Sequence, residues 1–156
     1  MMRVATYACL LFLAACSTPY KEYGFYGGLS EVRLAKNAFK VSFQGNMATS
    51  MRQATDFTLL RCAELTRENG YQFFTIVSEL RNDNEFSGGI HTVVKASGDG
   101  AYASSVNPTY KQPSTENTIL MFAEKPDTEF AYEAKYVIDS VTQQYQIDGL
   151  GEAWDL

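Results

Sequence analysis

Residues 39–44 place Phe39, Val41 and Phe43 on one side and Lys40, Ser42 and Gln44 on the other. That period of two marks a strand with one buried face. Residues 29–34 alternate less cleanly, with Leu29, Glu31 and Arg33 set against Ser30, Val32 and Leu34. Ala35-Lys36-Asn37 between the two runs reads as a turn, so a β-hairpin is expected, ended by Gly45-Asn46. The period then changes. Over residues 49–69, Met51, Ala54, Phe57, Leu60, Cys62, Ala63 and Leu65 form a broad apolar stripe, which predicts an amphipathic helix. Ser50 and Gln53 have capping-box spacing, and Asn69-Gly70 is a helix stop. Arg61 and Glu64, three apart, are expected to pair on the polar side.

In residues 71–79 both alternating sets contain apolar side chains. That predicts a central strand covered at least partly on both faces and completes a local β–α–β unit. Residues 81–89 read as a polar loop, 90–95 as a strand, and 96–117 as a long exposed loop with Tyr102 and Tyr110 as islands. Residues 118–123 read as another strand, followed by a turn at Lys125-Pro126-Asp127. Phe130, Ala134, Val137, Ile138 and Val141 have helical spacing within 130–145, and Lys135 and Asp139 sit four apart to pair. Asp127 and Glu129 are expected to place negative charge at the start of that helix. The expected fold is α+β, a small, mostly antiparallel sheet of about four to five strands packed by two helices. No internal repeat is visible.

The amino terminus has its own pattern. Arg3 precedes an apolar run from Val4 to Ala14, interrupted only by Thr6, and the run ends Leu13-Ala14-Ala15-Cys16. This is the layout of a secretory signal peptide. A transmembrane helix needs roughly 18–20 apolar residues, more than this run contains. The four residues ending at Cys16 resemble the lipobox of bacterial lipoproteins. The resemblance implies export, diacylglyceryl attachment to Cys16, cleavage before it and acylation of the new amino terminus. Ser17 in the next position implies sorting to the outer membrane in Gram-negative cells. The expected organisation is a signal peptide (1–15), a lipidated tether (16–28), one α+β domain (29–146, with the loop 96–117) and a tail (147–156). In the tether, Tyr20, Tyr23, Phe25 and Tyr26 stand among glycines and are expected to pack onto the domain. The tail holds the only tryptophan, Trp154, which either frays with it or docks back.

Composition narrows the partners. Charged residues make up 20% of the chain, the net charge is −5 and no basic patch stands out, so nucleic-acid binding has little support. The membrane link falls to acyl chains, and stable anchoring takes two such signals. Of the three cysteines, Cys9 leaves with the signal peptide and Cys16 is committed to lipid. Cys62 then has no intramolecular partner and is expected to be a small buried hydrophobe on the helix.

The middle of the chain resembles a group of small Gram-negative lipoproteins of uncharacterised function. The resemblance rests on Val41-Ser42-Phe43-Gln44-Gly45-Asn46, then Leu59-Leu60-Arg61-Cys62-Ala63-Glu64-Leu65-Thr66, then Gly70-Tyr71-Gln72-Phe73-Phe74. It covers residues 27–77, with a looser match over 119–122 and in the helix from Tyr132. It implies a lipid-anchored envelope protein with a small α+β domain, and it brings no catalytic residue. Each motif also has a structural reason: a turn out of a strand, the polar side of a helix, a helix stop and strand packing.

Signals of chemistry are sparse. The single histidine, His91, lies in a strand-like run, and metal sites need several converging ligands. No Gly-x-Ser-x-Gly elbow occurs, and Gly98-Asp99-Gly100 matches no phosphate-binding loop. Asp83-Asn84-Glu85 offers oxygens to calcium without the EF-hand pattern. No catalytic residue, metal ligand or cofactor is assigned, and the lipidated Cys16 is the one site residue. The expectation is a non-enzymatic envelope lipoprotein that contacts membrane lipid through Cys16 and an envelope protein through exposed tyrosines among Tyr20, Tyr23, Tyr26, Tyr102 and Tyr110. The alternatives are a periplasm-facing ligand-binding module and, behind it, a hydrolase built on His91.

Overall fold

The computed structural model describes residues 19–22, 24, 27–87, 91–97, 100–106, 109–127 and 130–147. The lipobox, Tyr23, Phe25, Tyr26 and Trp154 lie outside the described residues. The expected hairpin is present. β1 (Gly28–Ala35) and β2 (Ala38–Gln44) pair antiparallel, from Gly28 opposite Gln44 to Ala35 opposite Ala38. Phe39, Val41 and Phe43 all turn inward and are buried. α1 (Met51–Glu68) follows. Ser50 Oγ accepts the Gln53 N–H at 3.1 Å, which satisfies one free donor of the first turn. At the other end the Gly70 N–H donates to Arg67 O and the Tyr71 N–H to Thr66 O, 2.9 Å each. This closing motif needs a left-handed residue, and Gly70 supplies it with φ of +80°.

The remaining elements are β3 (Phe73–Ser87), β4 (His91–Ser97), β5 (Gly100–Val106), β6 (Thr109–Phe122), β7 (Tyr132–Glu133) and α2 (Ala134–Tyr145). The main sheet is five-stranded in the order β1-β2-β6-β3-β7, and β4 and β5 form a separate two-stranded sheet. β6 pairs antiparallel with both β2 and β3, so those two run parallel with β6 between them. The β–α–β unit expected from the sequence is therefore real but split. The fold is α+β, one open antiparallel sheet with two helices.

Three expectations are corrected. First, the loops at 81–89 and 96–117 are mostly strand. β3 continues to Ser87 and β6 begins at Thr109, so residues 79–87 and 109–117 form one long ribbon with Glu79 opposite Asn117 and Ser87 opposite Thr109. Beyond Pro113 the ribbon leaves the body of the sheet, since β2 ends at Gln44 opposite Ser114. Backbone pairing and cross-strand contacts such as Glu85–Lys111, 3.3 Å, hold it together. The candidate calcium residues Asp83, Asn84 and Glu85 are part of this strand. Second, the partial cover on both faces of β3 ends early: Phe74 is buried and Phe73, Thr75 and Ile76 are half-buried, but Val77 is 55% exposed at a bulge between Ile76 and Ser78. Third, the last helix begins at Ala134. Tyr132 and Glu133 instead join the sheet opposite Phe74 and Phe73, Tyr132 stacks on the Phe74 ring at 5.0 Å, and Phe130 is 65% exposed. Asp127 accordingly lies too far upstream to serve the helix start.

Both helices cover one sheet face. Leu60, Cys62, Ala63, Phe74, Ile119, Met121, Ala134 and Ile138 form the main core beneath them. Cys62 is fully buried, and burial raises its thiol pKa above the ordinary value. The core also encloses hydroxyls. The Thr58 and Thr115 hydroxyls and Ala54 O form a triangle, the carbonyl 2.8 Å from Thr58 Oγ1 and 3.1 Å from Thr115 Oγ1; one hydroxyl donates to the carbonyl while the other donates either to it or to its neighbour. α2 is fastened to the start of α1 by Asp56, which accepts from the Tyr145 hydroxyl at 2.7 Å and from Gln144 at 3.3 Å. The expected Lys135–Asp139 pair is present at 3.7 Å.

Candidate functional site

The densest polar cluster lies where the tether crosses α1 and β1. Arg61 and Glu64 project from one side of α1, with Glu68 one turn further on, and Glu31 reaches across from β1. A planar guanidinium presents donors in a fixed fork, so it can satisfy several carboxylates at once. Arg61 does so here. Its Nε donates to Glu31 Oε2 at 2.7 Å and its Nη2 to Glu31 Oε1 at 3.1 Å. Its Nη1 donates to Glu64 Oε2 at 3.0 Å and to Glu68 Oε1 at 2.7 Å. Burial works to lower the Arg61 pKa, but the bonds to Glu31, Glu68 and Glu64 outweigh it and raise the value.

Glu64 is the buried member, only 3% exposed. The sequence placed it on the polar side of the helix, and its pairing with Arg61 holds, but its environment is interior. Burial raises its carboxyl pKa, against the hydrogen bonds from Tyr20 and Arg61 that favour the charge. Its Oε2 accepts from the Tyr20 hydroxyl at 2.5 Å. Its Oε1 is buried with no hydrogen-bond partner among the described residues.

Tyr20 thus fastens the tether to the domain. Its ring meets Phe57 edge-on at 5.3 Å, and burial raises the phenol pKa, aided by the Glu64 charge. The backbone adds a second attachment. The Leu29 N–H donates to Lys21 O at 2.8 Å, and Glu22 bridges to Leu29 in parallel. Gly28, with φ of +130°, passes so close that a Cβ there would lie 2.6 Å from Glu22 O and 2.7 Å from Lys21 O. Tyr20 therefore packs onto the domain as expected, and for that reason it is not an exposed contact residue.

Beside these groups lies a cleft of about 600 Å³, with Tyr20, Lys21, Leu29, Glu31, Arg61 and Glu64 in its walls. The cluster and tether carry four carboxylates, Glu22, Glu31, Glu64 and Glu68, against two cations, Lys21 and Arg61. The cleft is therefore acidic, and among the described residues the buried Glu64 Oε1 beside it is an acceptor without a donor. A second concavity, about 510 Å³ and mostly apolar, runs between Leu59 of α1, Val137 and Val141 of α2 and the Phe130–Tyr132 segment. Phe130 and Tyr136 stand out beside it, Tyr136 71% exposed.

Of the tyrosines expected at the surface, Tyr110 is exposed on β6. Tyr23 and Tyr26, the side chains of Tyr102 and His91, and Cys16 itself lie outside the described residues. Among the described residues no group of three or more His, Cys, Asp or Glu could hold a metal ion, and no helix is long and apolar enough to cross a membrane. The sequence missed the burial of Glu64 and the exposure of Phe130. One signal was available for the first: Phe57, Arg61, Glu64 and Glu68 recur at helical spacing, a charged stripe continuing an apolar one. Comparison with protein-family models, with curated proteins and with solved structures finds no match for this chain.

Proposed function

We propose that this chain is a cell-envelope lipoprotein, acylated at Cys16 and held at the outer membrane facing the periplasm. Its α+β domain serves there as a non-enzymatic interaction or structural module. Leu13-Ala14-Ala15-Cys16 supports the anchoring. The observation that carries the interaction role is the apolar groove flanked by exposed Phe130 and Tyr136, a surface suited to a protein partner. The Tyr20 attachment adds a constraint. An extended chain spans at most about 3.6 Å per residue, so an acylated Cys16 lies within about 14 Å of Tyr20. The domain would then sit close to the headgroups, presenting its groove to another envelope protein. The resemblance of residues 27–77 to small Gram-negative lipoproteins supports the same reading.

Two experiments test it. Cys16→Ser should accumulate precursor that takes up no labelled palmitate; normal processing and labelling would refute the anchoring. A photo-crosslinker at Tyr136 in living cells should capture one envelope protein in stoichiometric amount, and no capture there would refute the interaction role.

The acidic cleft favours a second reading, a ligand-binding module. Glu64 Oε1 is an acceptor suited to an N–H donor on a cationic ligand. Saturable binding of an amine that Glu64→Gln abolishes would select this reading over the first.

A further inference from the structure

Among the described residues β3 has one open edge. β6 pairs with its other edge along the whole strand, from Phe73 opposite Phe122 to Ser87 opposite Thr109. On the open side β7 covers only Phe73 and Phe74. Among the described residues no strand pairs with that side from Thr75 onward. An unpaired row of N–H and C=O groups is a template for another strand. Its side chains are accessible: Leu80 is 60% exposed, and Glu79 and Arg81 are also exposed.

This edge is complementary to itself. Ser78-Glu79-Leu80-Arg81-Asn82 can be laid antiparallel against a second copy about a two-fold axis through Leu80. Glu79 then faces Arg81 of the other copy, twice over, and Leu80 meets Leu80. Residues directly opposite in an antiparallel pair share a face, so both ion pairs fall on one face and the leucines on the other. Within one chain Arg81 Nη2 already lies 2.6 Å from Glu79 Oε1, so association would merge two pairs into a square of alternating charge. The register is specified too. A slip of two residues one way sets Glu79 against Glu79, and the other way sets Arg81 against Arg81 and Glu79 against Asp83. Like charges directly opposite are destabilising.

We propose that this edge is a homodimer interface, in which β3 pairs antiparallel with β3 of a second copy and joins two sheets into one across a two-fold axis. Sedimentation of the full chain in a non-ionic detergent measures the association. Arg81→Glu brings carboxylates face to face at both pairs and should weaken the dimer by at least about tenfold. The exchange Glu79→Arg with Arg81→Glu restores complementarity and should return the dissociation constant to within about threefold of the original. Leu80→Cys on the axis should give a disulfide-linked dimer under oxidising conditions, because β-pairing brings the two Cβ atoms within bridging range. A wild-type chain that stays monomeric at its highest soluble concentration overturns the proposal. So does a dimer indifferent to Arg81→Glu, or an exchange variant that fails to recover.

Discussion

The Tyr20 hydroxyl meets Glu64 Oε2 at 2.5 Å, tying a segment near the start of the chain to the far half of α1. Removing the hydroxyl leaves that oxygen to Arg61 alone. Tyr20→Phe should cost about 1.5–3 kcal/mol, the range for a hydrogen bond to a charged group. Chemical denaturation measures the loss. Hydrogen exchange at the Leu29 N–H, which donates to Lys21 O, should quicken as the tether loosens.

Arg61 neutralises a carboxylate that is almost wholly buried. Arg61→Ala strands that charge and should destabilise by about 3 kcal/mol or more. Adding Glu64→Gln removes the stranded charge, so the double variant should recover most of the loss. A double-mutant cycle on unfolding free energies reads the coupling, and simple additivity would contradict this account.

Gly28 lies under the Glu22 and Lys21 carbonyls with φ of +130°. Gly28→Ala should both strain the backbone and push the tether off β1. Limited proteolysis should then cut before Gly28 faster than in the wild type, while the far-UV spectrum stays the same.

Burial, and then the hydrogen bond to Asp56, push the Tyr145 phenol up to about 12 from an ordinary 10.0. Tyr20 shifts in the same direction. A phenol raised in the folded state contributes fully below pH 10, and its contribution is lost as pH climbs through the folded value. The thermal midpoint should therefore fall between about pH 10 and 12. The fall should be shallower in Tyr20→Phe/Tyr145→Phe, and an equal slope in that variant would refute the assignment.

Cys62 is fully enclosed and its thiol is held in the protonated form by burial. It should resist maleimide in the native chain and react fully in denaturant. Rapid native labelling would show that α1 does not pack as described.

What the sequence made legible follows from which positions meet apolar partners. Phe39, Val41 and Phe43 face the helices, so their alternation survives as a readable period, and α1 advertises its ends through Ser50 and Gly70. Residues 113–117 of β6 alternate just as regularly, but their inward positions are Pro113, Thr115 and Asn117, and Thr115 spends its hydroxyl on a helix carbonyl rather than on oil. Hydropathy cannot register such a strand. The ribbon beyond it leaves the helices behind, so no face there needs apolar residues. Glu64 was misread for another reason: what buries it is Tyr20, a contact that helix periodicity does not encode.

The strand order also bears on the birth of the protein. β6 is the middle strand, yet it is among the last to be made; Ala38 waits for Leu120, and Gln44 for Ser114. As the chain emerges from its amino end, the first hairpin and α1 have no sheet centre against which to close. Contacts of such sequence separation form late, after the loops between them have closed. A nascent chain held open until residue 122 has appeared stays threadable for most of its synthesis, which is the state a protein must keep if it is to pass through a translocation channel.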